Sequence, residues 1–218
     1  MVDYIKYKRK ATDDKEKNIS IAASILKRHL RKGDILIIKP NLTNIKVKLF
    51  NPSTYFISFF SKGITHSGIY DGKGNVYDVE FRWGKHLRKR TLRELLRVKY
   101  QLFKGITVYA VQPKKYSREN RYDVDRFITD IIKAGKDINF SINQFIYMLY
   151  LGFIKDTNYK NAHKIKQKFN EKKAVCSTFV AHVLKKSGIN LGRRPVVTFL
   201  PSTFIFSRNF RIKKKVRI

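Results

Sequence analysis

Cys176 is the only cysteine of the 218 residues. It sits in the run Ala174-Val175-Cys176-Ser177-Thr178-Phe179-Val180-Ala181-His182-Val183-Leu184, whose apolar spacing predicts an amphipathic helix that starts at the thiol. A thiol at a helix N-terminus is biased toward the nucleophilic thiolate by the helix dipole. What such a thiol still requires is a base. His66 stands in the strand-like run Gly63-Ile64-Thr65-His66-Ser67-Gly68-Ile69-Tyr70, among small residues that let another element approach. His29, His86 and His163 lie in basic or polar segments, and His182 is six residues beyond Cys176 on the same helix, pointing away from the thiol. Cys176 and His66 are therefore the pair that could carry nucleophilic acyl chemistry.

A third group should orient the imidazole, and the hairpin after His66 offers Asp78 and Glu80. With Gly72-Lys73-Gly74 as a three-residue turn, Tyr70 faces Val76, Gly68 faces Asp78 and His66 faces Glu80, all on one side. A slip of one residue would carry both carboxylates to the other face. Pairing alone leaves the choice between them open.

The elements that must position these residues follow from periodicity. Ile19, Ala22, Ala23, Leu26 and Leu30 predict a helix capped by Asn18, and Asp34 to Ile38 a buried strand. Strands are expected over 64–70, 76–81 and 106–112, and helices over 91–100, 117–134, 142–151 and 176–187. The aromatic stretch from Asn41 to Lys62 fits a helix or a loop covering a site. Helix, antiparallel strands and then helices make an α+β domain with a small sheet. Residues 1–17 read as a basic arm and 208–218, with six Lys or Arg and no acid, as a basic tail.

Four short segments together resemble the circularly permuted branch of the NlpC-type papain-like hydrolases, to which YiiX-like proteins and the lecithin:retinol acyltransferase relatives belong. They are Gly33-Asp34-Ile35-Leu36, the stretch from His66 to Asp78, Cys176-Ser177-Thr178-Phe179-Val180, and the Pro201-containing segment from Phe199 to Ser207. The resemblance implies a permuted papain-like domain over 18–207, with a small antiparallel sheet packed on helices and the nucleophile at a helix N-terminus. It makes Cys176 the nucleophile, His66 the general base and Asp78 the orienter, with Glu80 the geometric rival. The implied substrate is a peptide, isopeptide or cell-wall amide, with a lipid ester second. The aromatic insertion and the basic extensions depart from the branch.

Composition adds bounds of a different kind. Forty-eight Lys and Arg against sixteen Asp and Glu leave a net charge of +32, a field that favours polyanions such as nucleic acid or an anionic surface. A second reading follows from it: a non-catalytic basic structural or nucleic-acid-binding protein of a virus or phage particle. A lone cysteine excludes an intramolecular disulfide. The N-terminus lacks the apolar core of a signal peptide, and the longest apolar stretch, from Phe145 to Ile154, is too short for a membrane span. A soluble cytoplasmic or virion-associated protein is the expectation. No metal-ligand spacing, P-loop or dinucleotide fingerprint is present, so no cofactor is expected.

Overall fold

The computed structural model describes residues 15–41, 61–80, 87–133, 139–140, 146, 173–192 and 196–218. The aromatic insertion over 42–60, most of the helix expected over 142–151, and His86 and His163 lie outside the described residues. The described chain is mixed α and β. Six antiparallel strands form one sheet in the order β4-β3-β2-β1-β5-β8. They are β1 (Ile35–Pro40), β2 (His66–Tyr70), β3 (Asn75–Val79), β4 (Leu87–Thr91), β5 (Ile106–Pro113) and β8 (Phe210–Arg217). The short strands β6 (Asn139–Phe140) and β7 (Lys173–Ala174) pair in parallel apart from it. The helices are α1 (Lys15–His29), α2 (Leu92–Phe103), α3 (Arg118–Lys133), α4 (Cys176–Lys186) and α5 (Thr203–Phe206).

Both faces of the sheet are covered, and β1 shows it residue by residue. Ile35 and Ile37 join Ile69, Tyr77 and Val111 in a core filled by Phe179, Val180 and Val183 of α4 and by Val124 and Ile128 of α3. Leu36 and Ile38 join Tyr70, Val76, Val108 and Ala110 in a second core under Ile19 and Leu26 of α1 and Leu95 and Leu96 of α2. A strand buried on both faces has no polar side to alternate with, hence the unbroken apolar run Ile35-Leu36-Ile37-Ile38.

The hairpin adopts the register its turn chemistry implies. Tyr70 pairs with Val76 and Ile69 with Tyr77. Asp71 accepts backbone N–H bonds from Lys73 (2.7 Å) and Asn75 (2.9 Å), and Gly72 and Gly74 take positive φ between them. At Gly33, also at positive φ, a Cβ would fall 1.4 Å from the Tyr116 hydroxyl, so only glycine admits that ring.

Several expectations are corrected. The sheet is larger than the small one expected, because two basic segments are edge strands. Residues 208–218 are no tail: 210–217 form β8, paired along β5 with a bulge at Ala110/Val111. Leu87 to Thr91, outside the strands expected from periodicity, is β4, paired along β3 from Asn75 to Val79. Edge strands rich in Lys and Arg show little apolar alternation, since charge at an edge guards against pairing with other chains. Helix α1 begins at Lys15, inside the expected arm, and Asn18 lies within it rather than capping it. Glu16 holds that first turn to α2 through Arg97 (2.7 Å) and Arg93 (3.3 Å). Helix α2 runs to Phe103, with the Thr91 hydroxyl accepting the Glu94 N–H at its start.

Candidate active site

Helix α4 begins at Cys176, after Val175 in extended conformation. Thr178 fixes the start: its hydroxyl accepts the Val175 N–H and donates to the Val175 carbonyl, both at 3.1 Å. The next residue after the thiol, Ser177, donates to the Phe199 carbonyl at 2.5 Å and so ties the thiol's turn to the Pro201 segment. Apolar residues from Phe179 to Leu184 then anchor α4 in the core, leaving the thiol at the sheet.

The sheet receives it where one ladder ends. Pairing between β2 and β3 is confined to Ile69–Tyr77 and Tyr70–Val76. Past the end of that ladder, the backbone N–H of Ser67 bonds the Cys176 sulfur. His66, at the very start of β2, also hydrogen-bonds the thiol. Its Nε2 is engaged with Asp78 Oδ2 at 2.6 Å, so Nδ1 is the ring nitrogen left for the sulfur. Asp78 lies one pair along from His66 on the same face, beside Gly68. A Cβ at Gly68 would meet Val76 Cγ1 at 2.6 Å and the Tyr77 carbonyl at 3.1 Å, so β3 would be pushed away.

The structure separates the two hairpin carboxylates. Asp78 bonds His66. Glu80, the rival, pairs instead with Arg90 (3.0 Å) and with Lys99. Arg90 bridges both, since its other terminal nitrogen meets Asp78 Oδ2. The result is a continuous chain of polar contacts: Cys176, His66, Asp78, Arg90, Glu80 and Lys99. Cys176 and His66 are each 6% exposed and Asp78 is fully buried.

Burial and charge compete at every link. Burial pushes the Cys176 thiol up, but the hydrogen bond and charge of His66, with the Ser67 N–H, hold it below its usual value. Burial and the Lys99 charge push His66 down, yet its bonds to Asp78 and Cys176 leave it raised. Asp78, opposed by burial, is held low by His66, Arg90 and Lys99. Glu80 is likewise opposed by burial and held low by Lys99, His66 and Arg90. The shifts of Cys176 and His66 move the proton from sulfur toward imidazole, the condition for a thiolate–imidazolium pair.

Sequence reasoning missed Arg90, Lys99 and the Ser67 N–H. Lys99 carried a signal: it falls on the buried stripe Leu92, Leu95, Leu96, Lys99 and Phe103 of α2, where a lysine requires an acidic partner. Arg90 became legible only once β4 existed, because its pairing with Val76 puts it on the face of Asp78. His29 bonds the Ile25 carbonyl, and His182 lies further along α4; neither is part of the contact chain. Among the described residues no group of three or more His, Cys, Asp or Glu could hold a metal ion. No family model matches the chain, and no curated protein matches it.

Proposed function

We propose that the chain is a thiol hydrolase of the permuted papain-like, NlpC type, acting by acyl transfer on an amide or ester. The observation that carries the reading is the buried contact sequence from Cys176 through His66 to Asp78, with the thiol held low and the imidazole raised. In this reading the Cys176 thiolate attacks the carbonyl carbon of the substrate. The carbonyl oxygen gains negative charge, and in this reading backbone N–H groups of the first turn of α4 donate to it. The His66 imidazolium protonates the leaving amine or alcohol, leaving a thioester on Cys176. Neutral His66 then takes a proton from water, which attacks the thioester and regenerates thiol and base. Asp78 keeps the imidazole in one orientation and stabilises its charged form.

Chain order supports the permuted reading, with the strand histidine first and the helix cysteine last, and Ser177 links the nucleophile's turn to Phe199 near Pro201. The site calls for no cofactor in this chemistry. The substrate class we favour is a peptide or isopeptide amide.

Alkylation of the full chain by iodoacetamide across pH tests the reading. Wild type should react with a midpoint below the value of about 8.5 expected for a free thiol. His66→Ala should move that midpoint up, and Asp78→Asn should move it less. Turnover of an activated ester by wild type but not by Cys176→Ala should accompany this. Equal, slow alkylation of wild type and His66→Ala at neutral pH would overturn the proposal.

A further inference from the structure

We propose that the face built by the ends of β1, β5 and β8, together with α5, docks the protein on an anionic lipid surface. The argument starts from register. Lys39, Thr107 and Arg217 stand side by side across β1, β5 and β8, and in the next row on the same face Tyr109 and Lys215 are half-buried beside Ile37, which lies in the core. Lys39 and Arg217 are exposed, and the Lys215 ammonium lies 5.5 Å from the centre of the Tyr109 ring. Lys62 reaches the same area: its ammonium sits 4.4 Å from the centre of the Phe206 ring, and the Lys39 side chain passes beside Gly63. The segments that build this face are acid-free in sequence, for residues 104–117 and 196–218 contain no Asp or Glu.

Within this basic field two apolar side chains face water. Phe206, at the end of α5, is 59% exposed, and Ile212, paired with Val111 on β8, is 42% exposed. The buried Phe204–Phe210 edge contact, with centroids 5.3 Å apart, holds α5, which carries Phe206, against β8, which carries Ile212. Cations alone would suit any polyanion. An exposed isoleucine offers a nucleic acid neither a stacking plane nor a hydrogen bond, whereas a bilayer interface rewards both an aliphatic and an aromatic tip beneath a ring of Lys and Arg. A second copy of the chain fits poorly at the β8 edge, where like charges would meet. The inference rests on surface geometry alone and does not depend on the thiol chemistry.

Co-sedimentation of the full chain with phosphatidylcholine vesicles, with and without phosphatidylserine, tests it. Low salt reports charge. At about 0.5 M salt, where screening shortens to about 4 Å, only binding that also buries apolar surface should persist. Wild type should sediment with phosphatidylserine vesicles at both salts and not with phosphatidylcholine alone. The exposed-site double variant Phe206→Ser with Ile212→Ser should lose at least about ten-fold at high salt, because apolar burial sets interfacial affinity. Lys39→Glu with Arg217→Glu should lose binding at low salt. In a second measurement, the emission of the Phe206→Trp variant, read against the wild-type signal of Trp83, should shift to the blue on vesicles. Undiminished high-salt binding by the serine variant, an unshifted emission from Phe206→Trp, or tighter binding to a single-stranded oligonucleotide than to vesicles overturns the proposal.

Discussion

Two fully buried aspartates occupy different parts of the sheet and meet opposite fates. Asp78, on β3, is held low despite burial because His66 and Arg90 both bond its Oδ2. Asp34, just before β1, is pushed up by burial, and Lys213 (2.8 Å), the Arg31 N–H (2.8 Å) and Arg121 only partly offset the effect. The partners explain the difference. Arg90 is itself buried and pinned by a second carboxylate, Glu80, so its charge is fixed beside Asp78. Lys213 comes from an edge strand, and its side chain remains 17% exposed. A buried carboxylate is held low when its cations are immobilised with it, not merely when one is near. The aspartate held low is the one beside the histidine.

The strongest way to break this comparison is to remove the shared cation. Arg90→Met leaves Asp78 and Glu80 facing each other with less compensation and should cost about 3–5 kcal/mol in urea denaturation, the usual penalty for halving a buried pair. A loss below about 1 kcal/mol would mean that the network does not hold Asp78.

Next in size is a difference of sign. Asp78 has a folded pKa below its unfolded value of about 3.9, so its stabilisation is complete above that value and is lost as pH falls through the folded pKa. Asp34 has a folded pKa above about 3.9, so the folded state binds its proton more tightly, and its contribution declines as pH rises from that value through the folded pKa. Melting of Asp78→Asn and Asp34→Asn against wild type, from acid to neutral pH, should therefore give opposite slopes. The Asp78→Asn deficit should widen as pH rises, while the Asp34→Asn difference should move in favour of the variant. Parallel slopes would erase the distinction.

The smallest effect sharpens it. Lys213→Met removes one hydrogen bond from Asp34 and should cost about 1 kcal/mol at neutral pH by chemical denaturation. The cost should shrink in acid, where Asp34 is protonated. A cost rivalling that of Arg90→Met would place the two corners on equal terms.

Much of the scaffold was legible along the chain. The Gly72-Lys73-Gly74 turn implied the hairpin register, the apolar run from Ile35 marked the central strand, and the spacing after Cys176 marked α4. What escaped shared one cause. Arg90 in β4 and the lysines of β8 sit in strands that carry charge where periodicity looks for apolar residues. Lys99 is a charge inside an apolar stripe, stabilised by a carboxylate nineteen residues earlier in the chain.

The sequence by itself determined the candidate chemistry: one thiol, one strand histidine ahead of it, and two carboxylates of the same parity on the following strand. It did so because turn geometry and side-chain period are local. Only the tertiary structure decided which carboxylate serves the histidine. Parity puts Asp78 and Glu80 on one face, but the ending of the β2–β3 ladder at Ile69–Tyr77, and the arrival of Arg90 and Lys99 from β4 and α2, assign Asp78 to His66 and Glu80 to the cations. That division depends on charges brought together from distant positions, and a linear pattern holds no record of it.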